Sequence, residues 1–136
     1  MFEIEEIPDR DKLYYRVQKN WIRDGRILPG AIRERGEGEN RSMSTDWEKY
    51  STAKESQDRA RTPKDNTIVS FIVGFLREET LLVTHAPTEE IELDNGSTLP
   101  ANQAHTDVKS GQKKIGSEEI RLKLLEECNV EIRFEK

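Results

Sequence analysis

The longest apolar run in the chain, Ile68 to Leu76, has the length of a β-strand. It falls far short of the roughly 20 apolar residues that cross a bilayer, so no membrane partner is expected. Hydrophobic residues make up only 33% of the 136 residues and charged residues 36%, whereas typical domains are roughly 45–50% apolar. The sequence therefore predicts a single domain over residues 1–136, with a small core and a heavily solvated surface.

Short segments rich in β-branched and aromatic residues recur along the chain. They predict strands over Leu13 to Val17, Thr67 to Leu76, Thr80 to Thr84 and Val130 to Phe134, and a short strand near Ala104 to Val108. Only Arg-Glu-Glu, residues 77–79, separates the second strand from the third. These two are therefore predicted to form a hairpin at the centre of the core.

Two helices are predicted from their start signals. Thr52 and Glu55 match a capping box, which predicts a mostly polar surface helix over about 52–61. Ser117, followed by two glutamates, predicts a second helix over about 117–127. Together with the strands, these helices predict an α+β fold with a small, mostly antiparallel sheet.

Two stretches with few apolar residues are predicted to be mobile loops. They are residues 34–41, which are rich in glycine and charge, and residues 88–103, which are mostly polar. The second loop lies within the wider segment 85–116, which contains both histidines of the chain. Long loops in compact domains often carry function, so this segment is a first place to look for a site.

The chain is expected to be cytoplasmic. Its single cysteine, Cys128, cannot form an internal disulfide, which is typical of a reducing compartment. The opening residues Met-Phe-Glu-Ile-Glu-Glu are acidic, where a secretion signal would be basic and then apolar.

The formal net charge of −5 is unevenly distributed. Residues 1–66 hold 14 basic and 14 acidic residues, which leaves 8 of the 22 basic and 13 of the 27 acidic residues for 67–136. The acidic second half suits a basic partner. Arginines occupy positions 10, 16, 23, 26, 33, 35, 41, 59 and 61. They form either one local basic face or a solvated surface of mixed charge, and the overall composition argues against a dedicated nucleic-acid binder.

Several common catalytic signatures are missing from the sequence. There is no phosphate-cradling glycine loop, no Gly-x-Ser-x-Gly elbow, no His-Glu-x-x-His and no paired-cysteine metal site. The common classes of nucleotide triphosphatase, serine hydrolase and zinc finger that depend on these signatures are therefore excluded.

The two histidines, His85 and His105, are candidate catalytic residues, because imidazole serves as acid, base or ligand. Each lies at or near the edge of a predicted strand. Either the two rings converge on one site, or each forms hydrogen bonds with loop backbone. A metal site would also need Asp94, Asp107 or Cys128 to be brought close by folding, so no metal and no cofactor is expected.

Arg16 and Ser44 are the other two catalytic candidates. Arg16 lies inside an otherwise apolar predicted strand, so its guanidinium needs an anionic or carbonyl partner. That partner is either a structural carboxylate or a ligand. Ser44 offers a hydroxyl on a short strand, or else forms a local cap or turn.

Asp46, Trp47 and Asn102 are the candidate binding residues. Trp47 and Tyr50 would meet on one face if the chain forms a helical turn there. The aromatic pair then either anchors that turn to the core or offers a ring for base stacking. Asn102 opens the Asn-Gln-Ala-His segment that ends at His105.

Several blocks of the sequence, taken in order, resemble a group of small uncharacterised bacterial and archaeal proteins. The blocks are Leu13-Tyr-Tyr-Arg16-Val17, Gly25-Arg26, Ala31-Ile32, Met43-Ser-Thr-Asp46-Trp-Glu-Lys-Tyr50-Ser51, His85-Ala-Pro87 and Asn102-Gln-Ala-His105. The resemblance spans most of the chain and implies a compact domain.

The first half is also similar to the ADP-ribosyltransferase-like enzymes, which include RNA 2'-phosphotransferases and NAD-consuming toxins. Those folds open with a strand bearing Arg or His after an aromatic residue, and a Ser-Thr strand and a polar helix follow. Arg16 and Ser44-Thr45 fit this order. The similarity implies that Arg16 binds a nucleotide phosphate and that a glutamate orients a ribose hydroxyl. Glutamates at positions 78, 79, 89, 90 and 92 are available for that role, and no motif marks one of them.

Two functions follow from these observations. The small core and acidic second half favour a non-enzymatic interaction or accessory domain with a protein partner, in a bacterial assembly such as a toxin–antitoxin or defence system. The alternative is a small nucleotide- or RNA-processing enzyme of ADP-ribosyltransferase-like type. Exposed leucine or phenylalanine on an open sheet edge would favour the first function, and a concave pocket joining Arg16 to a glutamate the second.

Overall fold

A computed structural model describes all residues from 1 to 136. The strands are β1 (Lys12–Gln18), β2 (Ile22–Arg23), β3 (Arg26–Ile27), β4 (Met43–Trp47), β5 (Asn66–Ile72), β6 (Leu82–His85), β7 (Ile91–Glu92), β8 (Thr98–Leu99), β9 (His105–Lys109) and β10 (Asn129–Ile132). The α-helices are α1 (Ala53–Asp58), α2 (Val73–Glu78) and α3 (Glu118–Glu127). None of these helices has the length and apolar character that crossing a membrane requires.

Six strands form one sheet in the order β10-β5-β1-β4-β9-β6, and every neighbouring pair is antiparallel. The other four strands form the short hairpins β2–β3 and β7–β8. The predicted α+β class with a mostly antiparallel sheet is confirmed.

Alternation along the strands gives the sheet two different faces. In β1, Leu13, Tyr15 and Val17 are buried on one face, where residues of α2 and α3 pack against them. We call this the core face. Arg16 in β1 and Asp46 in β4 point to the opposite side, which we call the polar face because its exposed residues are mostly charged or hydrophilic.

The predicted strand over 67–76 is wrong in its second half. The strand ends at Ile72, and the chain continues directly into α2. The Val73 N–H donates to the Asp11 carbonyl oxygen, so the N-terminal segment holds the start of the helix. Both Val73 and Leu76 are buried. Their spacing of three places them on one side of a helix but on opposite faces of a strand, which is why the apolar run changes its structure there.

The predicted central hairpin is also wrong. β5 pairs with β1 and β10, whereas β6 lies at the far edge of the sheet and pairs with β9. α2 and the turn after it separate the two strands, so they cannot pair through a tight turn. Thr80 has a φ of 63° in that turn, and the strand predicted from Thr80 begins only at Leu82.

The other predicted elements are present with shifted ends. The capping box of Thr52 and Glu55 forms as predicted, but α1 stops at Asp58 rather than near Arg61. Pro63 follows closely and disfavours helical backbone before it. Ser117 caps α3, which matches the predicted helix over 117–127. The short strand predicted near Ala104 and the closing strand predicted from Val130 are observed as β9 and β10.

The two predicted loops contain some local structure. Residues 34–41 include a short 3-10 turn, and a β-bridge joins Arg35 to Ser42. Residues 88–103 contain the β7–β8 hairpin, which extends from the sheet as an exposed arm. That these segments are mobile stays a prediction.

Candidate anion-binding site

The sheet opens between β1 and β4. β1 pairs with β5 through seven residue pairs but with β4 through only two, Leu13 with Trp47 and Tyr14 with Asp46. Past those pairs the two strands diverge, and a cavity of about 390 Å³ lies beside them. β1 contributes Arg16 to its wall and β4 contributes Ser44.

Arginines dominate the wall of this cavity, which we call the arginine pocket. Five of the 11 lining residues are arginine and none is acidic. The arginines come from β1, from the segment after β3 and from the segment after α1; they are Arg16, Arg33, Arg35, Arg59 and Arg61. Gln18, Thr62 and Asn66 add polar groups to the same wall.

Asp46 is the buried anion beside the pocket, with a side chain only 2% exposed. Its Oδ2 accepts hydrogen bonds from Ser56 Oγ at 2.6 Å and from Arg16 Nη1 at 3.1 Å, and it lies 3.3 Å from Arg59 Nη1. Its Oδ1 accepts a hydrogen bond from Asn102 Nδ2 at 2.9 Å. A buried carboxylate needs such partners. Asp46 in turn fixes two guanidinium groups in the pocket wall.

α1 supplies the remaining support on the polar face. Arg16 Nη1 also donates to the main-chain oxygen of Ser56 at 3.0 Å. Gln57 Nε2 donates to the main-chain oxygen of Asn66 at 3.0 Å. Ser56 and Gln57 are both buried, so this helix is not only a surface element, as its polar sequence had suggested. The hydroxyl of Ser56 and the amide of Gln57 let α1 pack on polar groups of the sheet.

The charge of the pocket is not balanced. Arg16 and Arg59 share the single carboxylate of Asp46. No carboxylate lies within ion-pair distance, 4.0 Å, of the other three arginines, Arg33, Arg35 and Arg61. Arg33 instead lies 5.2 Å from the centre of the Trp21 ring, a cation–π contact that leaves its charge uncompensated. An anion is the ligand that complements such a wall.

Tyr15 forms a neutral part of the wall. Burial raises the pKa of its phenol, and the positive charge of Arg35 opposes that shift only in part. The hydroxyl donates to the Ala31 carbonyl oxygen at 2.5 Å. The phenol therefore stays protonated and does not offset the arginine charge.

Three of the four catalytic candidates come together on the polar face. Arg16 and Ser44 line the same pocket, and His105 Nε2 lies 3.4 Å from Ser44 Oγ. The strand register pairs Asp46 with His105 and Ser44 with Asp107, so the hydroxyl and the ring are diagonal neighbours across β4 and β9. The sequence did not place these residues together, because only the pairing of distant strands does so.

The fourth candidate, His85, lies on the core face and is 2% exposed. Its Nδ1 accepts a hydrogen bond from the Glu5 N–H at 3.0 Å, and its Nε2 lies 2.7 Å from the Gln103 carbonyl oxygen. The ring packs against Trp47 and Tyr50. Because both nitrogens are engaged by backbone groups, His85 has a structural role. The two histidines do not converge.

The three binding candidates also lie on different faces of the sheet, with Trp47 in the core and the other two on the polar face. Trp47 ends β4, and a turn follows in which the Tyr50 N–H donates to the Trp47 carbonyl oxygen at 3.1 Å. Trp47 is only 1% exposed. Its indole N–H donates to Asp11 at 2.9 Å, and its ring meets Tyr50 edge to face with ring centres 5.5 Å apart. Trp47 is thus an anchor of the core without a free face for a ligand. Asp46 and Asn102 belong to the polar network behind the arginine pocket.

The glutamate expected from the ADP-ribosyltransferase resemblance is not at the pocket. None of the five glutamates considered for that role lines it, and Arg16 pairs with Asp46. No three His, Cys, Asp or Glu side chains are grouped so that they could hold a metal ion.

Four of the pocket arginines were missing from the site residues chosen by sequence, namely Arg33, Arg35, Arg59 and Arg61. The available signal was the series of arginines in the first half, and five of those nine line the pocket. The series did not show which arginines converge, since they come from segments that only the tertiary fold joins.

Comparisons of this chain with protein-family models, with curated proteins and with solved structures find no match. The function of the arginine pocket is therefore inferred from its own geometry.

Proposed function

We propose that this protein binds a phosphorylated small ligand, a nucleotide or the phosphorylated end of a nucleic acid, in the arginine pocket. The observation that carries the proposal is the convergence of five arginines on one cavity beside a single buried carboxylate. Guanidinium groups bind phosphate oxygens in pairs of parallel hydrogen bonds, and they keep their charge at any physiological pH.

The dimensions and chemistry of the cavity support this ligand class. Its volume of about 390 Å³ lies within the range of roughly 300–1,000 Å³ found for small-molecule sites. Gln18, Ser44 and Asn66 add neutral hydrogen-bonding groups to the wall, which suit the hydroxyls of a ribose or the edge of a base.

The charge of the remainder of the protein favours a small ligand over a long polyanion. The net charge is −5, and the excess acid lies in residues 67–136. A long nucleic acid would also meet the overall negative charge of the protein, whereas a nucleotide or a chain end places its phosphates only among the arginines. Because the ligand is held mainly by the charge of the arginines, its affinity should fall as salt is added.

Isothermal titration calorimetry with ATP, AMP, pyrophosphate and adenosine tests the proposal. We expect the phosphorylated ligands to bind and adenosine to bind at least about tenfold more weakly, since charge-assisted hydrogen bonds contribute about 1.5–3 kcal/mol each. The double substitution R35A/R61A should abolish most of the affinity. R23A/R26A, which removes the same charge from the exposed β2–β3 hairpin, is the matched control and should bind like the unchanged protein. Equal losses of affinity in the two variants would reject the arginine pocket as the phosphate-binding site. Adenosine binding as tightly as the phosphorylated ligands would also reject it.

We also propose protein binding by the β7–β8 arm as a second candidate function. Ile91, Leu93 and Leu99 are 50%, 42% and 54% exposed. Ile91 pairs with Leu99, and alternation places Leu93 on the same face. Four acidic residues flank this apolar face, at positions 89, 90, 92 and 94. Leu82, on the open edge strand β6, is also 54% exposed. Apolar residues within an acidic rim suit a partner with a basic, apolar surface.

The arm is tested with the substitution I91S/L93S/L99S, which leaves the arginine pocket unchanged. A protein captured by the unchanged chain would be identified, purified and titrated against both forms. We expect at least tenfold weaker binding by the variant and a loss of affinity with salt. A partner that binds both forms equally would place the interaction elsewhere.

A further inference from the structure

Ser44 is the one hydroxyl of the arginine pocket that has a histidine nitrogen within hydrogen-bonding reach. Its side chain is exposed and faces the cavity. The 3.4 Å between Ser44 Oγ and His105 Nε2 is longer than in an engaged nucleophile and base, and such pairs are commonly loose before a ligand binds. A hydroxyl, a potential base and a phosphate-binding wall therefore share one site.

The hydrogen bonds of His105 direct a lone pair toward this hydroxyl. Its Nδ1 lies 2.9 Å from the Ala86 carbonyl oxygen, which only accepts hydrogen bonds, so Nδ1 carries the ring proton. In the neutral ring, Nε2 is then the nitrogen with the lone pair, and it faces Ser44. His85 has the opposite arrangement, because its Nδ1 accepts from Glu5 and its Nε2 must donate to Gln103. Only His105 has a nitrogen free to take a proton.

A carboxylate stands beside the same nitrogen. Asp107 Oδ1 lies 3.7 Å from His105 Nε2. The carboxylate thus faces the same nitrogen as Ser44 Oγ, and the side chains of His105 and Asp107 are both 24% exposed.

The remaining wall limits which bonds this pair can break. Apart from the arginines, the lining consists of amides, hydroxyls, one alanine and the protonated Tyr15. The Tyr15 hydroxyl already donates to the Ala31 carbonyl oxygen, and the other hydroxyl and amide groups are weak acids, so the wall holds no free acid for a departing alkoxide. A leaving group that departs as a stable anion needs no such donor. The terminal phosphoanhydride bond of a nucleotide meets this condition, since its leaving group is itself a phosphate.

We propose that Ser44 and His105 form a catalytic dyad that hydrolyses a phosphoanhydride bond of a nucleotide held in the arginine pocket; this rests on the proposed function. Ser44 Oγ attacks the terminal phosphorus as its proton passes to His105 Nε2, an Oγ–P bond forms, and the bridging P–O bond breaks to release the shortened nucleotide as an anion. Water then attacks the phosphoserine. The Oγ–P bond breaks, Oγ regains the proton from His105, and both protons of the water leave with the inorganic phosphate as dihydrogen phosphate.

The test measures phosphate release from ATP and ADP by the full chain, together with mass spectrometry of acid-quenched reactions. We expect a phosphorylated peptide that contains Ser44. S44A should reduce release to background, and H105Q should slow it by about 100-fold or more, the range for loss of a general base. T84A, which removes an exposed hydroxyl from the polar face of the neighbouring strand β6, is the control and should retain the rate.

Binding measurements separate the two proposals. If the unchanged chain binds ATP through the arginine pocket but releases no phosphate from ATP or ADP, the dyad is rejected and phosphate binding stands. If release persists in S44A, the dyad is also rejected. If neither nucleotide binds, both proposals fail. Retained ATP affinity in S44A, with lost turnover, would support the dyad.

Discussion

The two faces of the central sheet are built from the same strands and differ in almost everything else. The core face buries apolar residues under α2 and α3, whereas the polar face carries a buried aspartate, the arginine pocket and a serine–histidine contact. His85 and His105 show the contrast most directly. They lie on adjacent strands, yet one is sealed by backbone hydrogen bonds and the other adjoins the pocket. Alternation along β4 likewise places Asp46 on the polar face and its neighbour Trp47 on the core face.

The largest expected effect is on the core face. Trp47→Ala removes the largest fully buried side chain, together with its contacts to Tyr50 and His85. We expect a loss of about 3–5 kcal/mol in the free energy of unfolding, measured by urea denaturation. Leu82→Ala, at an exposed edge position, should cost less than about 0.5 kcal/mol. Similar losses for both would contradict the assignment of the core face.

On the polar face, Asp46→Ala should be the most costly single change. It removes the carboxylate that Arg16, Arg59 and Ser56 share. We expect a loss of about 2–3 kcal/mol, below the cost of a fully buried charge because the two arginines are about a third exposed. If guanidinium repulsion causes the loss, pyrophosphate should restore more stability to this variant than to R35A/R61A. Equal recovery in thermal unfolding would contradict that cause.

The two histidines provide a direct test of the contrast between the faces. His85→Ala leaves the Glu5 N–H and the Gln103 carbonyl without a partner, and should cost about 1–3 kcal/mol in chemical denaturation. His105→Ala removes a partly exposed ring and should cost less than about 1 kcal/mol. The reverse order would show that the roles of the two residues have been exchanged.

The smallest effect concerns acid stability. The hydrogen bond from Lys123 lowers the pKa of Glu79 below its ordinary value of 4.5, and Lys113 lowers it further. A lowered carboxyl pKa stabilises the folded state above pH 4.5, and that contribution disappears as the pH falls below it. Glu79→Gln should therefore flatten the decline in unfolding free energy below pH 4.5 and slightly lower stability at neutral pH. An unchanged acid profile would show that this ion pair contributes nothing.

Local signals in the sequence predicted the elements better than their arrangement. The caps at Thr52 and Ser117 identified two helices, because a cap depends only on residues within one turn. The apolar run ending at Leu76 was mistaken for a single strand, since nothing local shows that the N-terminal segment holds the start of α2. The sequence predicted that the Arg16 guanidinium pairs with a carboxylate or a ligand, and it pairs with the carboxylate of Asp46. Which carboxylate it was, and which arginines surround it, depended on pairing between distant segments.

The two residue pairs that join β1 to β4 divide the sheet into two three-stranded plates, β10-β5-β1 and β4-β9-β6. One of these pairs contains Asp46. The junction between the two halves of the sheet therefore also holds the guanidinium groups of Arg16 and Arg59. A ligand that touches Arg16 on one plate and Ser44 on the other would brace them against separation. Because such a ligand binds only when the two halves are joined, it would lower the frequency at which they open. Slower amide hydrogen exchange in β1 and β4 would report this change.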